Sequence, residues 1–131
     1  MHECINKKGF SETLNDEEIQ RVWEKGITVE DVDADLFRHD AAGAWIARDC
    51  YGNLESIYGW EIDHIYPLSR GGDNQMDNLR PMNWRNNKSK KNDYPYYKAV
   101  VTSQGSENIE RISSCTVNKI IQEKLRKLYS K

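Results

Sequence analysis

Apolar positions along this chain recur with two different periods, and the changes of period mark out its elements. Ile19, Val22 and Trp23 follow a helical spacing. They come behind Asn15-Asp16-Glu17-Glu18, a capping residue with acids in the first turn, and Gly26 supplies a stop. Residues 44–49 read as a strand, Tyr51-Gly52-Asn53 as a turn, and 54–58 as a returning strand. Residues 60–65 and 79–82 form two further strands, and a helix opens at Asn83 or Trp84 and runs to about Asn92. Residues 99–103 and 109–113 are strands joined by a turn at 104–108. From Thr116 the helical period returns in Val117, Ile120, Ile121, Leu125 and Leu128, with Lys124, Arg126, Lys127 and Lys131 suited to the negative end of that helix. This stripe packs on its own domain by default, with a dimer surface as its other use. Residues 1–12 carry no clear pattern.

Mixed strands and helices over 131 residues predict one α+β domain with a modest core. No long apolar run and no signal-peptide pattern is present, which predicts a soluble, cytoplasmic protein with no membrane partner. Cys4, Cys50 and Cys115 are odd in number and widely spaced, so neither a disulfide framework nor a zinc knuckle is expected; each reads as a small buried apolar residue.

The net charge of −2 argues against a polyanionic partner, but its distribution argues for one. Residues 1–35 hold ten acids and four bases, whereas 36–131 hold eleven acids and fifteen bases. Arg80, Arg85, Lys88, Lys90 and Lys91 gather in one segment and are the candidate phosphate contacts. In isolation such a run is a solvated helix face; its neighbours change that reading. Trp60 and Trp84 are core anchors by the commoner use of tryptophan, and base stacking is their alternative. His39 reads as an exposed or capping histidine rather than a second catalytic one.

The neighbours are Asp63-His64 at the end of an apolar strand, Gly71-Gly72 in the following loop, and Asn86-Asn87 in the basic segment. Hydrolysis of a phosphodiester needs a deprotonated water, relief of charge on the non-bridging oxygens and help for the departing oxygen. Neutral imidazole does the first near neutral pH. A hard divalent cation with oxygen ligands does the others. Asp63 and Asn87 offer two such oxygens, Asn86 being the alternative to Asn87, and His64 stays free as the base. Consecutive strand residues point to opposite faces, so Asp63 and His64 reach one site only where the strand ends or bends. Pro67 and Gly71-Gly72 favour a loop starting there.

Residues 60–91, with Asp63-His64-Ile65-Tyr66-Pro67, Gly71-Gly72, Asn78-Leu79-Arg80-Pro81 and Asn87-Lys88, resemble the HNH endonucleases of phages and bacteria. The resemblance implies a ββα-metal finger at 58–93, between an amino-terminal helix and hairpin at 1–57 and a carboxy-terminal hairpin and helix at 94–131. It implies His64 as general base, Asn78 as the residue that orients it, and Asp63 and Asn87 as metal ligands. Asparagine in place of histidine at the third motif position favours Mg2+ or Mn2+. The implied activity is metal-dependent DNA cleavage leaving 5′-phosphate and 3′-hydroxyl ends, in a bacterial or phage-infected cell, by a monomer or a homodimer. The alternatives are a non-catalytic nucleic-acid-binding module that keeps the finger for shape, and a protein-interaction domain built on the acidic amino-terminal segment or the last helix.

Overall fold

The computed structural model describes Cys4 and residues 14–129, as a mixed α/β arrangement of three helices and three two-stranded antiparallel sheets. Helix α1, Asp16–Trp23, starts at a reciprocal capping box between Asn15 and Glu18, which satisfies two backbone donors the first turn would otherwise leave open. Its Ile19, Val22 and Trp23 are buried, each contributing on the order of 1.5–3 kcal/mol. The Trp23 ring meets that of Trp60 at 5.4 Å. Strands β1 (Phe37–His39) and β2 (Trp45–Ala47) form the first hairpin.

Two expectations are corrected here. The ladder partner of β2 is the upstream β1; residues 54–58 form no strand and reach β2 through the Ala47 amide, which donates to the Tyr58 carbonyl at 3.1 Å. That downstream stretch instead folds into turns closed by its own side chains, Asn53 Oδ1 accepting from the Glu55 amide and Ser56 Oγ from the Tyr58 amide. The second correction is a disulfide between Cys4 and Cys50, Cα atoms 5.1 Å apart, with Cys115 left as a thiol. The expected bland cysteine describes the burial of Cys50 but not its bond.

Strands β3 (Trp60–His64) and β4 (Leu79–Asn83) pair antiparallel, Asp63 opposite Arg80 and His64 opposite Leu79. Helix α2, Trp84–Lys90, follows β4 without a linker, with Asn83 Oδ1 capping it through the Arg85 amide. The long hairpin β5 (Tyr96–Gln104) and β6 (Glu107–Thr116) turns at Gly105, whose φ of +61° favours glycine. Helix α3, Lys119–Tyr129, comes last. Every residue of β4 is buried because the strand serves two cores. Leu79 joins a cluster with α1, Ile46 and Trp60, while Met82 joins one with Ile65, Tyr97, Val117 and Leu125.

A buried polar knot binds the hairpins to α2. The Asp40 carboxylate accepts from the backbone amides of Ala42, Ala44 and Asn83 and from Asn86 Nδ2, at 2.9–3.1 Å. Asn86 in turn accepts from the Val100 and Val101 amides at 2.8 and 2.9 Å and donates to the Val101 carbonyl. Burial pushes the Asp40 carboxyl up from its ordinary value against the pull of those donors.

Asn86→Ala strips partners from two strand amides, a carbonyl and a carboxylate, and is expected to destabilise the fold by about 3 kcal/mol in urea unfolding. Reduction of Cys4–Cys50, which closes a loop across 46 residues, is expected to cost about 4 kcal/mol on the chain-entropy estimate, read as a lower Tm with a thiol reductant and as no further loss in Cys4→Ser.

Candidate functional site

The loop after β3 is held by one buried side chain. Asn78 Oδ1 accepts from the Tyr66 amide at 2.7 Å, and its Nδ2 donates to the carbonyls of Tyr66 and Asp73 at 3.0 Å each. Its own backbone carbonyl takes the Ile65 amide at 2.9 Å. All the polar atoms of Asn78 side chain thus serve the segment that carries His64. Two glycines let that loop close. Gly71 adopts φ +108°, and Gly72 lies so near the Tyr66 carbonyl that a Cβ there would collide with it.

His64, half-buried at the end of β3, has its Nε2 2.7 Å from Asn74 Oδ1. Donor and acceptor here follow the tautomer: with the proton on Nε2 the ring donates to the Asn74 carbonyl and the lone pair is on Nδ1.

Strand parity separates the neighbours of His64. Glu61 and Asp63 fall two apart on β3, and both meet α2 side chains. Asp63, only 3% exposed, faces Arg80 Nε at 2.9 Å and Lys90 Nζ at 3.3 Å. Lys90 is fully buried and also donates to the carbonyls of His64 and Ile65, at 3.3 and 3.2 Å. Burial pulls its ammonium pKa down, and the Asp63 charge opposes that shift. The Arg80 guanidinium lies over the Tyr97 ring, 5.3 Å from its centroid. Burial pushes the Tyr97 phenol up to about 12, with Arg80 drawing the other way.

Arg80 and Lys90, expected among the phosphate contacts, are therefore corrected to interior residues committed to Asp63. The reason is position. Arg80 stands directly across the ladder from Asp63, and Lys90 is on the face of α2 turned to β3. Arg85 is part-exposed and bridges to Glu110 at 2.9 Å. Lys88 and Lys91 are exposed and, with Trp84, Arg85, Ser89 and Val100, line a shallow groove of about 360 Å³.

The two adjacent asparagines of α2 have different surroundings. Asn86 is fully buried in the polar knot, whereas Asn87 is half-buried and donates through Nδ2 to Glu61 Oε1 at 3.0 Å. Direct contact thus joins Asn87 to Glu61, and Asp63 to Arg80 and Lys90. Glu61 was not among the residues singled out from sequence, although its i, i+2 relation to Asp63 was a usable signal. His39 packs edge-on against Trp45 at 4.2 Å and contacts Ser103 Oγ at 3.3 Å, a packing position rather than the exposed or capping one expected. Among the described residues, Cys4, Asp49 and Cys50 form a cluster of metal-ligand type, but its two sulfurs are joined in the disulfide.

The β3–α2 seam gathers carboxylate and amide side chains rather than thiolates or several imidazoles, the hard class of donor, with the Asn87 amide turning its Nδ2 to Glu61 and the Asp63 oxygens taken by Arg80 and Lys90. A family model described as HNH endonuclease matches residues 52–96, a span that contains β3, β4, α2 and every residue of this seam. No curated protein and no solved structure matches the chain.

Asp63→Ala leaves two buried cations without a counter-charge and is expected to lower stability by about 3–5 kcal/mol. Urea unfolding of this variant beside Asp63→Ala/Lys90→Met measures how much of that loss the second change restores.

Proposed function

We propose that this chain, whose residues 52–96 carry the HNH endonuclease family segment, is a divalent-metal-dependent DNA endonuclease with its chemistry at the β3–α2 seam. The observation that carries the proposal is that the family segment holds, within one continuous β3, β4, α2 run, an imidazole contacted by Asn74 and the carboxylate and amide side chains of the seam. With its Nε2 proton engaged by Asn74, His64 receives the proton of the attacking water at Nδ1. Asn78 keeps that imidazole in place by clamping the loop that follows it. Asn87 and a carboxylate of β3 would hold the cation, which would supply Lewis-acid relief of charge on the phosphate and on the leaving oxygen. Asn86 is saturated by other partners, which supports Asn87 as the amide ligand. Lys88 and Lys91, exposed beside the Trp84 groove, bind the polynucleotide backbone, with Arg85 joining them on release from Glu110.

A second reading keeps the fold as a non-catalytic DNA-binding module. The commitment of Asp63 to two cations favours it, because the acid next to His64 is not open to a metal while those pairs persist. No helix among the described residues is long and apolar enough to cross a membrane.

Incubation of supercoiled plasmid with Mg2+ or Mn2+ separates the two readings. The nuclease reading expects nicked or linear product with 5′-phosphate ends, abolished by chelator. It also expects a loss of at least about 100-fold in His64→Ala. Metal-independent DNA binding with no cleavage would leave the module reading standing, and full activity in His64→Ala would remove that residue from the mechanism.

A further inference from the structure

Three side chains of metal-ligand type meet where Cys4 is tied to the turn after β2. Cys4 Sγ, Cys50 Sγ and a carboxylate oxygen of Asp49 all lie within 4.8 Å of one another. The sulfurs are joined in the disulfide, yet their surroundings suit a different state of the pair. A disulfide sulfur carries no proton, so Asp49 Oδ1, 3.6 Å from Cys50 Sγ, has no hydrogen to accept from it. Polar groups also turn toward both sulfurs. Asn53 Nδ2 donates to Cys4 Sγ at 3.5 Å, and the Ser56 hydroxyl lies 3.7 Å from Cys50 Sγ. Donors gain more from a charged acceptor than from a neutral one, and a thiolate is charged where a disulfide is not. Cys50 is fully buried and Asp49 is exposed, so the cluster is closed on its sulfur side and reaches solvent through the acid.

We propose that, once the disulfide is reduced, the thiolates of Cys4 and Cys50 and the carboxylate of Asp49 bind one Zn2+ ion, at a site separate from the β3–α2 seam. Thiolate ligands select Zn2+ over Mg2+. Three protein ligands and one water complete the four-coordinate shell that zinc prefers. Three anionic ligands against one divalent ion leave a single negative charge, and the neighbouring Arg48 attracts Asp49 and offsets it. Asn53 and Ser56 then stand behind the sulfurs as the hydrogen-bonding partners that metal ligands usually have. Zinc thereby replaces the crosslink that reduction removes, and Cys4 stays tied to Cys50 in either state. The site does not depend on the nuclease reading above, which uses other residues and a harder ion.

The test uses the full chain, reduced with a phosphine, freed of it without air, and titrated with Co2+ as a spectroscopic stand-in for Zn2+. In the reduction the phosphine gives two electrons to the S–S bond. Water supplies the two thiol protons and the oxygen of the phosphine oxide, and each thiol releases its proton on binding the metal. The reduced protein is expected to show a sulfur-to-cobalt charge-transfer band that Zn2+ displaces at one ion per chain. The oxidised protein is expected to show none, a comparison that needs no variant. Cys115→Ser, which removes the remaining thiol, is expected to keep the band. Co2+ affinity is expected to fall by at least about 100-fold in Cys4→Ser and by about tenfold in Asp49→Asn, losses no smaller than those from removing a ligand's supporting partner. Asp49 is exposed, so Asp49→Asn removes the charge without disturbing the core. No band from the reduced protein, an equal band from the oxidised protein, an undiminished band in Cys4→Ser, or unchanged affinity in Asp49→Asn each overturns the proposal.

Discussion

The placement of α2 depends on a buried carboxylate. Asp40 accepts four donors, and through Asn83 and Asn86 it ties the turn after β1 to the start of the helix. Asn86 carries the same connection on to β5. Such a knot gives little net stability when complete and is expensive when broken, because each orphaned donor or acceptor stays away from water. Its consequence is rotational. With Asn86 turned into the knot, the next residue along the helix, Asn87, is brought to Glu61. The polar core thereby decides which asparagine can face a ligand.

A second buried ionic group sets the other end of the helix. The Arg80–Asp63–Lys90 arrangement binds both strands of the β3–β4 ladder to the last turn of α2. Burying charge is tolerable here because each ion has a partner and Lys90 has two carbonyls as well. Glu61 and Asn87 meet between these elements, while His64 at the end of β3 is contacted by Asn74. Loop closure by Asn78 and the two glycines adds the third constraint. The site is thus assembled from short elements that separately lack the length to be stable and are held by buried polar contacts, of which Arg80 Nη2 alone among the described buried side-chain atoms has no hydrogen-bond partner.

Much of this was legible in the chain as a string. Helix α1 follows from its capping box and spacing, and the order of β3, β4 and α2 follows from two short apolar runs and a capped helix start. The reading failed where partners were needed. Strand β1 is three residues long, too short to show a period, so no pattern in the string marks it as the partner of β2. Cys4 and Cys50 are 46 residues apart, a separation with no local signal.

What the sequence determined by itself was the inventory and its order: an acid and a histidine at a strand end, glycines to let the loop return, and asparagines opening a basic helix. These are local properties, set by backbone preference and side-chain chemistry within a few residues. Allegiance between these groups was set in three dimensions. Asp63 is claimed by Arg80 across the ladder and by Lys90 a helix away, and Glu61 is joined to Asn87. Coulombic pairing and desolvation act through space between residues far apart in the chain, so no spacing rule could assign them.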